Sequence, residues 1–154
     1  MIAKASPAKV NLYLRVLRKR KDGYHDILSL MQRISLCDEL TFSPARNGIT
    51  VRCPGTALPV NEENIVYRAA AAFFSRIAAP PGIEIIIRKR IPIAAGLGGG
   101  SSNAATTLTT LNEMSGCPLA REDLIKMGAA LGADVPFFIF GNTASWVSGI
   151  GDRL

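Results

Sequence analysis

Pro92-Ile-Ala-Ala-Gly-Leu-Gly-Gly-Gly-Ser-Ser-Asn-Ala-Ala105 lies between the β-branched run Ile83–Ile87 and an apolar segment that continues to Met114. That order predicts a strand, a glycine loop and a helix. So few side chains in the loop leave its backbone N–H groups open to close approach by a ligand. A helix starting near Ser101 aims its unpaired amides and the positive end of its dipole at the same place. The result is a cradle for phosphate. A tight strand-to-helix connection needs only one or two glycines. Each of Gly96, Gly98, Gly99 and Gly100 costs up to about 1 kcal/mol relative to Ala where ordered, so the run points to ligand binding rather than to folding alone.

Three phosphate loops compete for this run. A P-loop requires a lysine directly after its last glycine, and none follows here. The dinucleotide fingerprint G-x-G-x-x-G fits Gly96 and Gly98, but Ser101 stands at its third position and the flanking βαβ unit is missing. A kinase-like loop remains, lying over a triphosphate with its amides while Ser101 and Ser102 add hydroxyl donors. Ser101 also suits a helix N-cap.

Working outward, Val10–Val16 alternates as a strand and Ile27–Leu36 reads as a second extended segment. Short strands are expected at Leu40–Phe42 and Ile49–Arg52, separated by the turn Ser43-Pro-Ala-Arg-Asn-Gly48. Apolar spacing predicts a helix over Asn61–Ala79, capped by Asn61 or Asn64 and stopped by Pro80-Pro81-Gly82. Further helices are expected from about Ser101 to Met114 and from Pro118 to Leu131, with a last strand over Thr143–Val147. Asp134 either caps a short helix or begins a strand. Phe73, Phe74, Phe137, Phe138 and Trp146 are read as core. The pattern is α+β rather than a regular βαβ alternation.

The 154 residues, 48% hydrophobic and 19% charged, suit one domain spanning 1–154. A net charge of +6 favours anionic partners: nucleotides, phosphorylated metabolites or RNA. Much of it sits in Arg15, Arg18, Lys19, Arg20 and Lys21, a run read as a solvated turn before Asp22-Gly23. Cys37, Cys53 and Cys117 form neither a disulfide framework nor a zinc pattern, and fit reduced thiols. Lys4, Lys9 and Arg15 interrupt any signal-peptide profile, and no segment approaches the ~18 apolar residues of a membrane span. A cytoplasmic location is expected. His25 is the only histidine, and no partner serine and acid can be placed for a hydrolase triad built on it.

At the glycine loop the chain closely resembles the GHMP kinases, whose phosphate loop reads P-x-x-x-G-L-G-S-S-A. Pro92, Gly96, Leu97, Gly98 and Ser101-Ser102 fit, with two extra glycines. Ser6-Pro-Ala-Lys-Val-Asn-Leu12, Asp22-Gly-Tyr-His25 and Gly132-Ala-Asp-Val-Pro136 extend the resemblance and narrow it to a branch acting in the non-mevalonate isoprenoid route. That branch moves the γ-phosphate of ATP to the 2-hydroxyl of a cytidine diphosphate derivative.

The resemblance implies a GHMP N-terminal domain of the ribosomal-protein-like, left-handed βαβ type, with a mixed sheet and helices on one face. Members are substantially longer, so a C-terminal domain absent from this chain is expected, and activity of this chain alone is doubtful. By resemblance Asp134 is the general base, Lys9 its cationic partner, and Asn11, on the same strand face as Lys9, a substrate contact. Tyr24 stacks on the cytosine and His25 bonds its edge. Pro92, Ile93, Ala94, Ala95, Gly96, Leu97, Gly98, Gly99, Gly100, Ser101 and Ser102 hold ATP, with Asn64 and Lys89 on the adenine side. Mg2+ accompanies ATP, held mainly by phosphate oxygens, with Ser102 and Asp134 as possible contacts and no dedicated metal cage. An RNA-binding α+β module and a mevalonate- or homoserine-type kinase are the rival readings; the Asp22–His25 motif speaks against the latter.

Overall fold

The computed structural model describes residues 1–20, 23, 25–149 and 151. Its elements are β1 (Ile2–Lys19), β2 (His25–Pro44), β3 (Gly48–Arg52), α1 (Ile65–Arg76), β4 (Gly82–Arg88), α2 (Gly99–Met114), α3 (Arg121–Leu131), α4 (Val135–Phe140) and β5 (Ala144–Gly149). The strands form one mixed sheet in the order β1-β2-β4-β3, with β5 also on β2. Only β3 and β4 are parallel, joined through α1; the other pairs are antiparallel. The expected α+β class with a mixed sheet is what the chain adopts.

The long strand β2 organises the site. One of its edges pairs with β1 along nearly the whole length. The other edge is shared end to end, with Ile27–Gln32 against β5 and Glu39–Pro44 against β4. A gap remains between them, at residues 33–38. There the chain leaves β4 and turns into the glycine loop. Leu40–Phe42 is therefore no separate strand but the far end of β2. Composition in short windows could not show this, because β4 and β1 supply the pairing that keeps the segment extended.

Each helix has a local reason for its limits. In α1, Val66, Ala69, Ala70 and Phe73 are buried at i, i+3, i+4 and i+7. Asn64 is the N-cap, its side chain accepting from Val66 N at 2.9 Å. The helix stops at Arg76, short of the expected Ala79, because Ala78 takes a left-handed φ of 52° and Ala79 N turns back to Phe74 O. In α2 the run Thr106–Thr110 is poor helix-forming material, yet Thr107, Leu108 and Thr110 are buried. Packing overrides propensity here. Residues 118–120 stay outside α3: Cys117 has a φ of 59°, and Asn112 clamps Leu119 through its N–H and C=O, both at 3.0 Å.

The core lies between one sheet face and the helices, with Phe42, Phe73, Phe137, Met31, Ile85 and Leu108 fully buried. Phe138 is buried and Phe74 packs against this cluster from its margin. Trp146 is not core: it is 54% exposed on β5, its ring edge-on to Tyr13 at 5.7 Å. Leu12, Leu14, Val16 and Leu17 are also exposed, since the β1–β2 ribbon runs past the helices as an arm. Near its tip, Arg18 and Arg20 bind Asp26 at 2.5 and 3.2 Å and hold that carboxyl below its ordinary range. The basic run is thus partly ion-paired rather than only solvated.

Gly128 sets how closely α4 approaches α3. A Cβ there would lie 2.7 Å from Ile139 Cδ1 and 2.9 Å from Val135 Cγ1. Gly128→Ala gains helix propensity of up to about 1 kcal/mol but overpacks at a cost of about 1–3 kcal/mol. We expect a net loss of about 1–2 kcal/mol and a melting temperature lower by roughly 3–6 °C in a circular-dichroism melt. An unchanged melt would mean that α4 gives way without cost.

Candidate active site

The cavity beside the glycine loop is about 400 Å3 and is lined by Pro92–Ser101 in full, with Leu58, Asn64, Ile65, Lys89 and Asn103 completing it. Such a volume suits a nucleotide-sized ligand. Gly96 and Gly98 have φ of 74° and 68°, a region where a side chain is strained. Gly98 is the N-cap of α2 and has no side-chain cap, so the first-turn amides keep no local partner. Among the described residues, no amide from Gly96 to Ser101 donates to a backbone carbonyl outside α2; the ladder begins with Ser102 N to Gly98 O at 2.8 Å. The residues that carry these unpaired N–H groups line the cavity, as a phosphate cradle requires.

Lys9 and Asp134 come together at the edge of this loop. Lys9 Nζ lies 3.3 Å from Asp134 Oδ2, with side-chain exposures of 8% and 27%. A second bond runs from Lys9 Nζ to Asn11 Oδ1 at 2.7 Å, and Asn11 Nδ2 passes on to Ser29 Oγ at 2.6 Å. Lys9 and Asn11 share one strand face, as the period of two predicts. Two features lock this lysine to the loop. Its own N–H donates to Leu97 O at 2.9 Å, next to a register shift in β1. A Cβ on Gly98 would lie 3.0 Å from Lys9 Cγ and 3.1 Å from Phe138 Cζ, so only glycine lets the lysine stem pass.

Asp134 sits at the N-cap of α4 but makes no side-chain cap bond. Its carboxylate is left for Lys9 and is 27% exposed; neither residue lines the cavity itself. The six-residue α4 is braced from its other end. Arg33 donates to the carbonyls of Phe137 and Phe138, and Arg121 to those of Ile139 and Phe140. Both guanidiniums also lie over the phenyl rings of this helix, at 5.6–5.7 Å. Burial pulls the Arg33 guanidinium below its ordinary pKa. Neither arginine was identified from sequence, because the contacts span about a hundred and about twenty residues respectively.

Other anticipated residues fall out differently. Ser102 lies outside the main cavity: it is fully buried and receives the Ser6 hydroxyl at 2.8 Å. It ties β1 to α2. Asn64 lines the cavity, but its amide serves as helix cap and donates to Pro59 O at 2.7 Å. Lys89 also lines it, with its ammonium paired to Asp38 rather than free. His25 is exposed and pairs with Lys19, out along the arm and not beside Lys9. Tyr24 lies outside the described residues. Among the described residues no group of three or more His, Cys, Asp or Glu could hold a metal. No helix among them is long and apolar enough to cross a membrane.

A strand, a glycine loop and a helix, with a lysine–carboxylate pair brought beside them from β1 and α4, define a phosphate-loop class of domain. Residues 64–142 match the family model described as the GHMP kinases N terminal domain, and the chain belongs to that family. It is 59% identical over 154 residues to 4-diphosphocytidyl-2-C-methyl-D-erythritol kinase of Syntrophus aciditrophicus, covering 100% of this chain and 55% of that relative. The protein of the same name from Acinetobacter baumannii is 46% identical over the same length, again with 55% of the relative covered. A crystal structure of 4-(cytidine 5'-diphospho)-2C-methyl-D-erythritol kinase superposes with a TM-score of 0.85 at 39% identity, over 99% of this chain and 54% of the other. Mevalonate kinase of Methanococcus jannaschii gives 0.73 at 15% identity over 99% and 54%, a likeness of fold alone. The chain spans about half the length of the curated relatives it matches.

Proposed function

We propose that this chain is the nucleotide-binding half of a kinase that moves the γ-phosphate of ATP to the 2-hydroxyl of 4-diphosphocytidyl-2-C-methyl-D-erythritol. The reading rests on one observation above the rest: a buried lysine bonded through its own N–H to the glycine loop pairs with Asp134, and that loop lines a cavity of nucleotide size. Relatives that are 46–59% identical are 4-diphosphocytidyl-2-C-methyl-D-erythritol kinases, which supports the substrate. Transfer to an alcohol needs the phosphates neutralised, the hydroxyl aligned and its proton removed.

In this reading the loop amides and the N-terminus of α2 hold the phosphates. The Lys9 ammonium keeps Asp134 in place and bears on the transferring group. Asp134 Oδ1, the oxygen not paired to Lys9, accepts the proton of the 2-hydroxyl as the new P–O bond forms and the γ-phosphate's bond to the leaving ADP breaks. Asn11 orients the acceptor. Mg2+, carried in with ATP, would screen phosphate charge, with Ser102 and Asp134 as the side chains that would contact it. Tyr24 and His25 read the cytosine of the acceptor, with His25 lying out along the arm. The location we propose is cytoplasmic, and the second half of the site belongs to a C-terminal domain.

A thermal shift with ATP–Mg, cytidine diphosphate and a short RNA, each at two salt concentrations, tests the reading. At a hundredfold excess over Kd a ligand stabilises by about 2.7 kcal/mol, a shift of several degrees. We expect ATP and cytidine diphosphate to give it at both salts. Stabilisation by RNA alone, collapsing as salt rises, would replace the kinase with a nucleic-acid module.

A further inference from the structure

Beneath the loop lies a charged group that the proposed chemistry leaves unused. Asp38 sits in the gap on β2 between β4 and β5, its side chain fully buried. Its Oδ1 accepts the consecutive amides of Arg90 and Ile91 at 2.8 and 2.9 Å. Its Oδ2 accepts from Asn103 Nδ2 at 3.0 Å and from the Lys89 ammonium. Arg90 and Ile91 immediately precede the loop; Asn103 stands in the first turns of α2, immediately after it. One carboxylate thus holds both ends of the phosphate loop.

From this geometry, and resting on the nucleotide reading above, we infer that Asp38 is a positioning residue that sets the shape of the phosphate loop without touching the ligand. A carboxylate this buried must satisfy its charge and lone pairs within the protein, and here three N–H groups and an ammonium do so. The loop itself has little internal stiffness, being glycine-rich, so its ends fix where its amides point. Lys89 joins the same knot: its Nζ lies 3.1 Å from where a Cβ of Gly99 would be, filling space that the missing side chain leaves. Because Asp38 neutralises that ammonium, charge complementarity to the phosphates is left to the loop amides and Lys9. Removing the carboxylate should loosen phosphate recognition selectively, since the apolar wall around Leu58 and Ile65 does not depend on it.

The test compares ATP and adenosine by isothermal titration calorimetry on this chain, in wild type, Asp38→Asn, and the exchange Asp38→Asn with Asn103→Asp. Asp38→Asn should weaken ATP about tenfold or more, because small misplacements of a binding group are costly, and change adenosine by less than about threefold. The exchange, which returns a carboxylate next to Lys89, should recover most of the ATP affinity. Equal losses for ATP and adenosine would make Asp38 a general stabiliser and overturn the inference; so would unchanged ATP affinity in folded Asp38→Asn. If Asp38→Asn fails to fold, hydrogen exchange in the wild type decides: ATP must slow exchange at the Arg90 and Ile91 amides, and no change there overturns it. A wild-type chain that binds neither ATP nor adenosine refutes the nucleotide reading itself, a result distinct from all of these.

Discussion

Asp134→Asn should lower kcat by about 10²–10⁴-fold, the usual contribution of a positioned general base, in a protein that joins this domain to the further length its relatives carry. Affinity for ATP should stay within about threefold of wild type, because no loop amide depends on the carboxylate. The substitution is close to isosteric, and Asp134 makes no cap bond to lose, so the melting temperature should hold. Single-turnover kinetics beside a nucleotide titration separate the two effects. Turnover comparable to wild type would remove Asp134 from the base role. A parallel loss of ATP binding would place it with the phosphates instead.

Lys9→Met should be nearly as damaging, and for a different reason. Methionine keeps the apolar stem that passes Gly98, so packing survives while the ammonium is deleted. Asp134 and Asn11 then lose the group that holds them at 3.3 and 2.7 Å. We expect kcat to fall by about 10²–10³-fold, the scale on which single charge-stabilising donors act, with ATP weakened several-fold because a cation near the phosphates is gone. Lys9→Arg should not rescue, since a planar fork cannot occupy the compact position of an ammonium. Activity of Lys9→Met within tenfold of wild type would assign the lysine a structural part only.

What the chain reveals in one dimension is mostly what neighbours in sequence decide. The glycine loop, the Asn64 cap, the β4 run and the shared face of Lys9 and Asn11 all follow from spacing, and the structure has them. The unity of β2 does not follow, because β1, β4 and β5 hold its two halves in line from three separate places. Trp146 reads as core on its size; its strand lies at an edge, where its ring meets Tyr13 and stays 54% exposed. Ser102 and Asn64 match the site by motif or position, yet their side chains also bond within the protein, Ser102 to distant Ser6 and Asn64 to nearby Pro59 and Val66. Asp38 carried no distinct signal, since a second acid, Glu39, follows it and β2 also holds Gln32, Arg33 and Ser35. Its meaning needed the β4 exit and α2 to be brought beside it.

The bond from the Lys9 amide to the Leu97 carbonyl has a practical outcome for redesign. Cation and cradle move as one body, so widening the pocket to admit a bulkier triphosphate analogue drags the ammonium away from the acid. Selectivity and speed are mechanically linked in this domain, and variants picked for a new nucleotide should emerge slow until β1 is reshaped along with the loop.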